Sequence, residues 1–199
     1  KQRAADVDRL SGGRLGYVHI SSMDDPSFRS VYADILGKYN DREGIVIDTR
    51  FNGGGRLHED IEILFSGKKY FTQVVRGREA CDMPSRRWNK PSIMLTCEAN
   101  YSNAHGTPWV YQHQGIGKVV GMPVPGTMTS VSWETLQDPT LYFGIPIVGY
   151  RLPDGSYLEN KQLEPDVKIA NSPEKIIKGE DEQLETAVKE LLKEIDSKK

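Results

Sequence analysis

The chain lacks any run of 18 apolar residues, so no segment of it reads as a helix that crosses a bilayer. It has little cysteine. Cys81 and Cys97 are the only two in 199 residues, and neither stands in a CxxC or other metal-ligand spacing. They read as reduced thiols, and neither a metal nor an organic cofactor is expected. It also lacks a charge excess: 26 basic side chains face 28 acidic ones, a formal net charge of -2. That balance gives no reason to expect nucleic acid or an anionic membrane as a partner. No signal peptide is visible and the first residue is Lys1, so the chain reads as a segment of something longer.

What is present is ordinary for a globular domain: 37% hydrophobic and 27% charged residues, over a length that suits one domain with a short arm. Residues 1–13 are polar and end in Ser11-Gly12-Gly13, and they read as a linker arm from a preceding domain; residues 14–199 read as the domain itself. Tyr17–Ile20, Gly44–Asp48, Ser92–Thr96 and Gly117–Gly121 read as strands, the middle two as buried ones. Between them, Phe28, Val31, Tyr32, Ile35, Leu36 and Tyr39 fall on one helical face after Pro26. A second helix carries Leu57, Ile61, Leu64 and Phe65, and a third is expected around 103–114. Residues 67–91 are basic and irregular. Residues 122–164 read as β-hairpins, with Pro153-Asp154-Gly155 as a turn, and Val167–Ile169 as a late strand. A last helix from about Asp181 carries Leu184, Ala187, Val188, Leu191, Leu192 and Ile195 on one face. The alternation of strands and helices predicts βαβ units and a twisted sheet, whose ligands sit at the carboxyl ends of the strands.

Two segments occupy such ends. In Asn52-Gly53-Gly54-Gly55, three glycines lie between a buried strand and a helix. They permit positive φ and present backbone N–H groups that stabilise negative charge, as a phosphate cradle, an oxyanion hole or a plain tight turn would require. Arg56-Leu57 follows in place of Gly-Lys-Ser/Thr, which disfavours nucleotide binding. In Asn100-Tyr101-Ser102-Asn103-Ala104-His105, a serine stands at a strand–helix junction. Such a serine is either a helix N-cap or an exposed nucleophile, and the local sequence is not Gly-x-Ser-x-Gly. A nucleophile needs a base. None of His19, His58, His105 and His113 announces itself, and His105 is the nearest in sequence.

The run Arg14–Ile20, the run Gly44–Gly55, Gly115–Gly121, Leu158-Glu159-Asn160 and Glu164–Val167 together resemble the catalytic core of tricorn-like serine proteases, within the group of C-terminal-processing peptidases. The resemblance spans residues 14–169 in order. It implies a crotonase/ClpP-like α/β sheet with flanking helices and with β-hairpins near the C-terminal half. It implies Ser102 as nucleophile, backbone N–H groups of Gly54 or Gly55 and of Asn103 as oxyanion hole, and Glu159 as an orienting acid. Processing peptidases take their base from a Lys in a Gly-Lys-Gly turn, and Thr127 of Pro125-Gly126-Thr127-Met128 replaces it here. Tricorn-like enzymes take a histidine from a segment upstream of a PDZ-like domain. The resemblance thus implies a base from outside this chain, with His105 as the local alternative. His105 stands where the family often has an acid, and Phe71–Val74 brings no acid to select basic residues. The implied activity is hydrolysis of peptides or unfolded proteins, in the cytoplasm or alternatively the bacterial envelope. PDZ-like and other upstream domains and further copies of the chain are the implied partners. A module that binds peptides without catalysis is the alternative. A crotonase-type pantetheine pocket has no support in the sequence.

Overall fold

The computed structural model describes residues 1–199. Five strands, β1 (Leu15–His19), β2 (Gly44–Asp48), β5 (Ser92–Thr96), β6 (Lys118–Gly121) and β9 (Val167–Lys168), form one parallel sheet in that spatial order. β2 and β5 are buried along their whole length because each lies between two other strands under helices on both faces. Side-chain alternation then splits the core in two. Ile45, Ile47, Met94 and Val119 face the first layer, which contains α2 (Asp25–Ala33, continued by a π turn at Asp34–Lys38), α3 (His58–Phe65) and α4 (Asn103–His113). Val46, Ile93, Leu95 and Val120 face the second, which contains α1 (Gln2–Ser11) and α6 (Glu182–Ser197).

Helix α6 starts where its sequence pattern says it should. Asp181 caps it by accepting from the Leu184 N–H at 3.1 Å. Two further elements were not legible. Residues 1–13, expected as a linker arm, contain α1, whose fully buried Val7 packs beside Leu15 and Leu184. One buried apolar residue and two partly buried ones, Ala4 and Leu10, suffice there because the sheet face was already apolar. Residues 67–91 contain a hairpin, β3 (Phe71–Val75) with β4 (Arg78–Met83), nearly all of it exposed. The expected hairpin between 122 and 164 is β7 (Ser130–Thr135) with β8 (Tyr142–Val148), and α5 (Pro173–Ile177) precedes α6. No helix is long and apolar enough to cross a membrane.

Because β2, β5 and β6 run parallel and adjacent, their carboxyl ends lie side by side. The segments that leave them, Thr49–Gly55, Cys97–Ser102 and Met122–Thr129, converge on one edge of the sheet.

Candidate active site

Ser102 ends the second of these segments with φ 55° and ψ −121°, a left-handed backbone that a residue with a Cβ rarely adopts. Such a conformation costs on the order of 1–3 kcal/mol and persists only where its surroundings impose it. Those surroundings are specific. The Tyr101 N–H donates to the Asn52 carbonyl at 3.0 Å, and the Ser102 N–H donates to Thr127 Oγ1 at 3.2 Å. The Ser102 carbonyl takes the His105 N–H at 2.8 Å, the first bond of the helical turn. As an N-cap the serine would turn its hydroxyl to an amide of α4. It makes no such bond, and Oγ bonds to no group in the chain.

Gly54 packs directly on this serine. A methyl at Gly54 would lie 2.7 Å from Ser102 Cβ, 2.9 Å from the Tyr101 carbonyl and 3.2 Å from the Asn103 nitrogen. Its φ of 100° also excludes other residues. The fully buried Asn52 shapes this loop: Nδ2 donates to the Ile20 carbonyl and Oδ1 accepts the Gly54 N–H, both at 2.8 Å. The Gly54 amide is therefore committed. The Gly54 carbonyl accepts from Met23 at 3.0 Å, so the trans peptide turns the Gly55 N–H away from Met23. The amides of Gly55 and Asn103 donate to no group in the chain, the latter because it opens α4.

Asn100 supports the serine from below. Pro108 inside α4 has no N–H, which would leave the Ala104 carbonyl without its helical donor. Asn100 Nδ2 supplies one at 3.3 Å and donates to Thr49 Oγ1 at 3.0 Å. The third segment is fixed by Glu159, which accepts the N–H groups of Met128 (2.8 Å) and Thr129 (2.6 Å) through one oxygen. Partial burial works against the carboxylate, but those two amides, with the field of His105, hold its pKa below the usual range. Glu159 thus touches the loop that carries Thr127, not Ser102 itself.

The histidines are dispersed. His105 is fully buried, and neither ring nitrogen has a hydrogen-bond partner. Burial holds its pKa below the ordinary imidazole value, against the opposing effects of the nearby Lys161 backbone and of the Glu159 charge. It does not reach Ser102 Oγ. His19 is exposed at the end of β1, and His113 stacks on Trp109 at 4.5 Å. His58 bonds the Asn103 side chain at 2.8 Å. No cluster of side chains here could hold a metal ion.

The structure therefore brings Ser102, Gly54, Gly55 and Asn103 together, places Glu159 one contact away, and leaves His105 out. Asn52, Asn100, His58 and the hydroxyl of Thr127 as a partner of Ser102 were not singled out as structural partners from sequence. The only signal for the asparagines is their position, immediately before a glycine loop or a helix. A half-buried serine whose hydroxyl has no partner in the chain, with two unpaired amides beside it, suits acyl transfer: addition to a carbonyl places negative charge where those donors point.

Residues 14–169 match the sequence pattern of peptidase family S41. The chain belongs to that family, and it has the fold of a serine peptidase domain. Its resemblance runs to the tricorn branch. It is 29% identical over 191 residues to tricorn protease homolog 1 of Streptomyces coelicolor, covering 94% of this chain and 17% of that protein. It is 25% identical over 190 residues to the tricorn protease of Thermoplasma acidophilum, covering 95% and 18%. The crystal structure of the tricorn protease superposes with a TM-score of 0.86 at 23% identity, over 98% of this chain and 19% of that one. That of mature CPAF bound to lactacystin gives 0.67 at 16% identity, over 92% and 52%. The chain spans about a fifth of the length of the curated relatives it matches.

Proposed function

We propose that this domain hydrolyses peptide bonds by acyl transfer with Ser102 as nucleophile. The observation that carries this reading is the left-handed Ser102, pressed on Gly54, with its hydroxyl unpaired and the Asn103 amide free beside it. In the reading, Ser102 Oγ attacks the carbonyl carbon and loses its proton to a base. The Gly55 and Asn103 amides receive the oxyanion, each contributing about 3 kcal/mol. The base returns the proton to the leaving amine, and water then releases the acyl group. Glu159 orients the loop around Thr127 from the side.

The base is a histidine from a segment upstream in the same protein. No imidazole or lysine of this chain bonds Ser102 Oγ, and Thr127 stands where processing peptidases carry lysine. The likeness to tricorn proteases supports peptides or unfolded proteins as substrates, a cytoplasmic setting, and assembly with PDZ-like and other domains and with further copies.

A fluorophosphonate probe tests the proposal. The full-length protein is expected to form an adduct on Ser102 that disappears in Ser102→Ala. The 199-residue chain alone is expected to label weakly or not at all. Absence of labelling in folded full-length protein would favour the non-catalytic peptide-binding module instead.

A further inference from the structure

The side chain of Asn103 does work that its backbone role does not require. Its Oδ1 accepts two amides from the start of α3, Leu57 N–H at 2.8 Å and His58 N–H at 3.0 Å. These are two of the orphan donors of that helix, and α3 has no cap of its own, since Leu57 precedes it. Its Nδ2 lies 2.8 Å from His58 Nδ1. The amide is a donor there, so Nδ1 accepts and the proton of the neutral ring sits on Nε2. Reversing the carboxamide would point its NH2 at the two α3 amides, so those amides fix which way it faces and His58 Nδ1 takes the donor that this orientation presents. The imidazole is held in turn by an edge contact to Tyr150, with ring centroids 6.1 Å apart at 90°. Asn103 itself is buried and His58 half-buried.

The consequence is geometric. The glycine loop leads directly into α3, and Asn103 opens α4. One carboxamide therefore ties the element carrying the Gly55 amide to the residue carrying the second free amide. We infer that the Asn103 carboxamide, locked by His58, sets the spacing of the two oxyanion donors, making His58 a positioning residue for acyl transfer. The inference rests on Ser102 being the nucleophile and adds to that reading a histidine that touches neither the serine nor the substrate.

The contribution of a donor depends on its alignment with charge that develops only in the transition state. A displaced pair should lower the chemical step and spare ground-state binding. The test measures kinact and KI separately for a fluorophosphonate probe on full-length protein. His58→Leu removes the acceptor and is expected to lower kinact on the order of tenfold with KI unchanged. His58→Asn offers an amide oxygen near the position of Nδ1 and is expected to recover most of that loss. His58→Phe keeps a ring beside Tyr150 but offers no acceptor to Asn103, and is expected to match His58→Leu; it also serves if His58→Leu does not fold. Wild-type kinact in both His58→Leu and His58→Phe, or a change in KI alone, overturns the inference while Ser102→Ala still abolishes labelling. If wild type takes no label, or Ser102→Ala still takes it, the nucleophile reading fails and this inference falls with it.

Discussion

The backbone N–H of Ser102 donates to the side-chain oxygen of Thr127 at 3.2 Å. Thr127 of the Pro125–Met128 turn therefore lies against the proposed nucleophile. Its loop is held there by Glu159 and by the Asn160 N–H, which donates to the Gly126 carbonyl at 2.9 Å.

That contact makes a gain of function testable. Thr127→Lys puts an amine on a loop already fixed beside Ser102. The 199-residue chain carrying it is expected to label with fluorophosphonate faster than the parent chain, more so as pH rises and the amine loses its proton. Adding Ser102→Ala should remove the signal. Labelling no faster than the parent would show that the 127 side chain does not reach Oγ.

Gly54 sets the approach of the loop to the serine. Gly54→Ala places a methyl 2.7 Å from Ser102 Cβ at a φ of 100°. Labelling of full-length protein is expected to fall about 100-fold, the scale of an ångström-sized misplacement. Circular dichroism should still report a folded domain, since the five-stranded sheet is untouched. Unchanged labelling would mean the loop yields without moving the site.

Glu159 gives a pH signature. Its folded pKa is depressed, so its stabilisation is present above the unfolded carboxylate value and is lost as pH falls through the folded one. Glu159→Gln is expected to cost about 1.5–3 kcal/mol at pH 7, in the range of hydrogen bonds to charged groups. The difference from wild type in urea unfolding should shrink as the solution is acidified below about pH 4. A constant difference across that range would contradict an ionised Glu159.

A second carboxylate system governs stability away from the site. Arg50 is fully buried and bonds Asp48 and Asp181, each at 2.8 Å, while Tyr17 donates to Asp48 at 2.8 Å. Burial opposes the Asp48 charge, but Arg50, Tyr17 and Arg3 outweigh it and hold its pKa low. Arg50→Met leaves that buried carboxylate without its main partner and is expected to cost about 3–5 kcal/mol. The loss should appear as a lower urea midpoint at pH 7. Because the Asp48 pKa is depressed, the wild-type advantage is full above the usual aspartate value and fades as pH falls through the folded one. An unaltered midpoint would show that the cluster contributes nothing net.

Much of this could be read from the chain alone. Ile45–Ile47 and Ile93–Leu95 are apolar at every position, which only a strand covered on both faces tolerates, and the strands alternate with helices of 3.6 periodicity. The order of strands and glycines drew attention to the loop at 53–55 and to Ser102, while the roles of Gly54, Gly55, Asn103 and Glu159 came only from the resemblance to tricorn-like proteases. Helix α1 escaped notice because its inward stripe holds only Ala4, Val7 and Leu10 among polar and charged residues, and the β3–β4 hairpin because an exposed hairpin has no apolar face to alternate.

Local sequence could not decide between cap and nucleophile, since both want a serine before a helix. The tertiary structure decides the geometry. Parallel pairing of β2, β5 and β6 brings together residues 54, 102 and 127, and packing on Gly54 accompanies a backbone at Ser102 that turns its hydroxyl away from the helix amides. The same packing assigns Asn52, Asn100 and Asn103 to particular backbone groups, because a carboxamide has donors and an acceptor but no sequence signal for the partner it will meet. It likewise buries His105 and ties His58 to Asn103, a division among four similar side chains that only the folded arrangement makes.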